Sequence, residues 1–71
     1  MDTKDRRRYR LEAEDDYRSK LVMTSEYIEK VRGFSCTLSQ RGFRGTIYEV
    51  NQDTMGQTPL FRFFQGHLHA V

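Results

Sequence analysis

Apolar residues change their spacing at Gly33, and this constrains the fold more than any other feature of the chain. Before it, Tyr17, Leu21, Ile28 and Val31 recur at intervals of four, seven and three residues, with Met23 and Tyr27 widening the stripe. That is the spacing of one helix face. After it the period is two: Phe34, Cys36 and Leu38 alternate with Ser35, Thr37 and Ser39, as in a half-buried strand. One helical segment followed by alternating ones predicts an α+β domain. The expected layout is an N-terminal amphipathic helix packed on a three- or four-stranded antiparallel β-meander.

The ends of such a helix, over 15–32, have suitable residues. Asp15 and Asp16 suit a first turn, where free N–H groups favour negative charge. Arg32 suits the last turn, and Gly33 a left-handed stop. Glu14–Arg18, Asp16–Lys20 and Glu26–Lys30 are acid-before-base pairs four residues apart, the favourable order on a helix. Upstream, Tyr9, Leu11 and Ala13 alternate with charges like a short strand, yet Tyr9 and Ala13 also continue the helical stripe. Residues 1–14 are read as a basic, charged arm or helical extension, and 15–71 as the single domain. After the strand at 34–39, Gln40-Arg41-Gly42 reads as a tight turn and 43–50 as an aromatic and β-branched strand. A loop follows over 51–59, then a strand over 60–64. Gln65-Gly66 either turns the chain into a short last strand over 67–71 or marks a bulge.

Composition narrows the class. Seventy-one residues hold one core and bury only about 60% of the extended chain's surface. Four Tyr and five Phe argue against disorder. The longest apolar run is Leu21-Val22-Met23, far short of the ~20 residues of a membrane helix. No apolar stretch follows the N-terminal charges, so no secretory leader is expected. Cys36 is the single cysteine. It cannot form an internal disulfide, which fits a reducing cytoplasm, and its alternation with small polar residues predicts a core position.

Arginine dominates the candidate site residues, at nine against three lysines and a net charge of +2. Lys4, Arg6, Arg7, Arg8 and Arg10 form a basic run in which each guanidinium can fork onto a phosphate. Glu12, Glu14, Asp15 and Asp16 follow directly and nearly cancel it. Arg41, Arg44, Tyr48 and Arg62 would share a sheet face that combines stacking with phosphate contacts. The stretch Arg41-Gly42-Phe43-Arg44-Gly45-Thr46-Ile47-Tyr48 matches the aromatic strand of the RNA-recognition motif at Arg41, Gly42, Phe43 and Tyr48. It departs at Arg44, Gly45 and Thr46, and the chain has no room for that fold's second helix, so the match falls short of the family.

Phe61, Phe63 and Phe64 around Arg62 form the most apolar patch, suited to a protein partner or a second copy of the chain. His67-x-His69 puts two imidazoles on one side of a strand. With Cys36 and a carboxylate such as Glu49 or Asp53 they would make a zinc set, but one built from two distant additions. No nucleophile-and-base set, phosphate loop or dinucleotide turn is present. The sequence therefore points to a non-enzymatic binding or regulatory module in the cytoplasm, with no cofactor, metal or membrane. Its partner is nucleic acid, or alternatively a protein.

Overall fold

A computed structural model describes residues 7–71. Five strands and one helix follow in the order β1 (Arg7–Glu14), β2 (Lys20–Ser25), α1 (Ile28–Gln40), β3 (Arg44–Asn51), β4 (Gln57–Phe64) and β5 (His67–Ala70). The strands form one antiparallel sheet in the spatial order β2-β1-β3-β4-β5, and α1 covers one of its faces. The α+β class is therefore right in outline, and the expected layout is not. The helix lies mid-chain, and the sheet has five strands, two of them preceding the helix.

Local chemistry explains why the segment 15–32 is not a helix. Asp15 turns the chain back on itself: its Oδ1 accepts the backbone N–H groups of Tyr17 (3.0 Å) and Ser19 (2.9 Å). Arg18 takes a left-handed conformation, φ 66°, to complete the reversal. An aspartate able to sit at a helix start is equally able to make this Asx turn. Beyond it, Leu21 and Met23 stand two apart as well as on the helical stripe, and in β2 they turn toward the helix while Val22 and Thr24 stay exposed. Arg7–Glu14, read as an arm or helical extension, is a strand next to the sheet's centre, paired with β2 on one side and β3 on the other.

The helix instead uses Ile28, Val31, Ser35 and Leu38, at helical spacing, against the sheet. Gly33 lies inside it rather than ending it. The stop is Gly42, φ 94°, where Phe43 N–H donates to the Leu38 carbonyl (2.9 Å) and Gly42 N–H to that of Ser39 (3.3 Å). This is a Schellman closure, with Phe43 packed on the core that holds Leu38. Cys36, expected in a core strand, is an exposed helical residue.

The later strands follow the expected order with shifted edges. Asn51 closes the β3–β4 turn by accepting N–H groups of Asp53 (2.9 Å) and Thr54 (3.3 Å) on its Oδ1. β4 begins at Gln57, so the expected loop is shorter, and Pro59 stands inside a strand. Its missing N–H is tolerated because β5 pairs only with 61–64 and leaves that stretch of β4 without an outer neighbour. Gln65 (φ 53°) and Gly66 (φ 81°) make the two-residue turn into β5.

The core lies between α1 and the sheet: Leu11, Ala13, Val31, Leu38, Ile47 and Phe63 are buried, with Tyr9, Leu21, Met23, Ile28, Phe34, Phe43 and Phe61 around them. Ser35 and Ser39 complete the buried helix face with satisfied hydroxyls. Ser35 donates to the Arg32 carbonyl (2.7 Å), and Ser39 accepts from Gly66 N–H.

Candidate nucleic-acid interface

Strand periodicity decides what the other face carries. Leu11 and Ala13 on β1, Ile47 on β3 and Phe63 on β4 point toward the helix, so their neighbours along each strand point away. This second face, which no described residue covers, thus displays Arg8, Arg10, Glu12 and Glu14 from β1, and Arg44, Thr46, Tyr48 and Val50 from β3. Arg62 and Phe64 come from β4, and His67 and His69 from β5. Lys20, Val22 and Thr24 of β2 complete it. Part of this face is a broad open trough of about 1040 Å³, lined by Glu12, Arg44, Thr46, Arg62, Phe64 and His69 among others.

Register aligns these side chains in rows across the sheet. One row reads Val22, Glu12, Thr46, Arg62, His69, each directly opposite the next. The row on one side includes Lys20, Glu14, Arg44, Phe64 and His67. The row on the other includes Thr24, Arg10, Tyr48 and Pro59. A bulge in β4 leaves Leu60 as the extra residue between the partners of Ile47 and Tyr48.

Three of this face's four arginines are held by carboxylates. Arg44 lies 3.0 Å from Asp16 and 3.9 Å from Glu14, and Arg8 lies 3.5 Å from Glu26. Arg10 Nε stands 2.9 Å from Glu12 Oε2, close enough for an ion pair but without the alignment of a hydrogen bond. The side chains in these pairs are 38–83% exposed, so each pair contributes about 0–1 kcal/mol. Among the described residues Arg62 has no ion pair.

Of the residues singled out from sequence, Arg44, Tyr48 and Arg62 come together on this face, and Arg8 and Arg10 join them through β1. Arg41 does not: it follows the helix as its exposed C-terminal cap. Lys4 and Arg6 lie outside the described residues, and Arg7 opens β1 opposite Asn51. The aromatic patch is divided. Phe63 is buried, Phe61 packs beside it on the helix side under the Arg32 guanidinium (5.3 Å to the ring), and Phe64 alone of the three faces outward, 46% exposed. Phe64, His69 and Thr46 as neighbours of Arg62 were missed as a group, because only the strand register brings them together.

His67 and His69 are both exposed, with ring centroids 5.9 Å apart. Cys36 is on the helix, and no group of three or more His, Cys, Asp or Glu able to hold a metal exists among the described residues. No described helix is long and apolar enough to cross a membrane. The chain matches no family model, no curated protein and no solved structure.

Proposed function

We propose that this chain is a small non-enzymatic module that binds nucleic acid through the uncovered face of its sheet. The observation that carries this reading is the gathering of Arg8, Arg10, Arg44, Arg62 and Tyr48, drawn from three strands, on one side of the sheet. Guanidinium groups fork onto phosphates, and aromatic rings interleaved with them stack bases. The trough is open rather than enclosed, which favours binding over chemistry.

A dry protein interface on the same face is less well supported. It would take the Arg10–Glu12 and Arg44–Glu14 pairs out of water together with Arg62, which has no carboxylate beside it among the described residues. Such burial costs several kcal/mol per ion that only well-matched partners repay.

Binding of a fluorescent oligonucleotide, followed by anisotropy across a salt series, tests the proposal. Affinity is expected to fall steeply with salt. Arg44→Ala and Arg62→Ala should each make the log–log slope shallower by about 0.7–0.9 per lost phosphate contact. Absence of binding at low salt, or binding indifferent to salt, would overturn it.

A further inference from the structure

We infer that the ligand is a single strand, anchored by one phosphate at Arg62, with its bases stacked on Phe64 and Tyr48. The inference rests on the nucleic-acid reading above and narrows it to a ligand class and a set of contacts.

Arg62 differs from the other arginines of the face in having no carboxylate beside it among the described residues. Directly opposite it stand Thr46 on β3 and His69 on β5. A hydroxyl and an imidazole thus flank the guanidinium, three side chains able to donate toward one phosphate. The two outward-facing rings lie one row to either side, Phe64 two residues further along β4 and Tyr48 two residues from Thr46 on β3. At about 3.3 Å per residue, each is displaced from the Arg62 row by roughly 7 Å along the strands. A cation with a ring before and after it along the strand direction matches a backbone phosphate with a base on either side.

A duplex does not fit this arrangement. Its bases are stacked inside and leave nothing for Phe64 and Tyr48 to hold, and its grooves are read by a helix or ribbon that projects into them. Here Arg62, Thr46, His69 and Phe64 line a trough rather than a projecting element. Along the Arg62 row the β1 position is Glu12, whose carboxylate stands at Arg10, so the cation left for a phosphate in that row is Arg62 on β4, with Thr46 of β3 and His69 of β5 beside it.

The test uses the whole chain and one labelled DNA oligonucleotide of mixed sequence, free and annealed to its complement. The single strand is expected to bind at least tenfold more tightly than the duplex. Phe64→Ala should weaken single-strand binding roughly tenfold or more, the usual scale for a lost stacking partner, while leaving duplex binding unchanged. Arg62→Ala should weaken it more than Arg10→Ala, whose guanidinium is already occupied by Glu12. Circular dichroism of each variant separates lost contact from lost fold, and Phe64→Leu, which keeps an apolar side chain without a ring to stack, should bind as poorly as Phe64→Ala. Equal affinity for single strand and duplex would overturn the inference and leave the nucleic-acid reading standing. So would equal losses at Arg10 and Arg62. No binding of either form would remove both. A Phe64→Ala effect on self-association alone, measured by sedimentation, would make the face a contact between copies of the chain.

Discussion

The two faces of this sheet are built from the same strands and share almost no chemistry. Toward the helix, β1 presents Tyr9, Leu11 and Ala13; away from it, the same strand presents Arg8, Arg10, Glu12 and Glu14. β4 divides in the same way, with Phe61 and Phe63 inward and Arg62 and Phe64 outward. The inward residues exclude water and carry the stability of the fold. Of the outward ones, Arg8, Arg10, Glu12 and Glu14 are in weak, exposed ion pairs, Arg62 has none among the described residues, and the Phe64 ring is half exposed. Antiparallel sheets commonly pack one face on the core and leave the other in water, because one covered face is enough to hold the strands.

The largest test of this division compares two adjacent rings. Phe63→Ala should cost about 3–5 kcal/mol, enough to unfold much of so small a domain. Phe64→Ala, one residue along the strand and on the other face, should change stability by no more than about 0.5 kcal/mol. Urea denaturation of the two variants measures both, and similar losses would mean that the outer face is structural too.

A smaller effect is expected where β1 and β3 meet. A methyl group at Gly45 would overlap the Glu12 carbonyl oxygen and lie 2.8 Å from Ala13 Cα. Gly45→Ala should therefore push the two strands apart and cost about 1–3 kcal/mol. Because the strand pair carries Arg10, Tyr48 and Arg44 on its outer side, oligonucleotide affinity should fall with it. Unchanged affinity in a destabilised Gly45→Ala protein would show that the outer face does not depend on the β1–β3 spacing.

The smallest expected effect runs the other way. Gly33 sits mid-helix with nothing within 4 Å of an added methyl group. Gly33→Ala should stabilise the domain by about 0.5–1 kcal/mol through helix propensity alone. Thermal melting would show the gain, and oligonucleotide binding should stay the same, since the helix lies on the far side of the sheet. A drop in affinity would tie the helix to the binding face and weaken the separation.

From Phe43 onward the chain was legible because its signals are local. Val and Ile with aromatics at 43–50 and the polar residues after Asn51 each specify short-range geometry, and Gln65-Gly66, open between a turn and a bulge in sequence, is the turn. The first half misled because its residues satisfy two periods at once. Leu21 and Met23 suit a strand, Leu21 and Ile28 suit a helix, and Asp15 suits either a helix start or an Asx turn. The segment 34–39 misled in the opposite sense: its alternation is genuine in sequence, but Ser35 is buried and Cys36 exposed because the helix continues from Ile28. For the site, alternation along β3 and β4 was enough to group Arg44, Tyr48 and Arg62. Arg8 and Arg10 joined them only because β1 pairs directly with β3.

By itself the sequence determined the tight turn before β3, the polar loop after Asn51, the alternation of the strands that follow Gly42 and the absence of a long apolar helix, since each depends on residues a few positions apart. The tertiary structure decided that β1 lies between β2 and β3, that the helix spans Ile28–Gln40, and which of the sheet's two faces it covers. Period-two spacing specifies that a strand has two unlike faces. It does not specify which strand lies beside it, because pairing and face selection depend on contacts between residues distant in the chain, and those are settled only when Leu11, Val31, Ile47 and Phe63 bury one another.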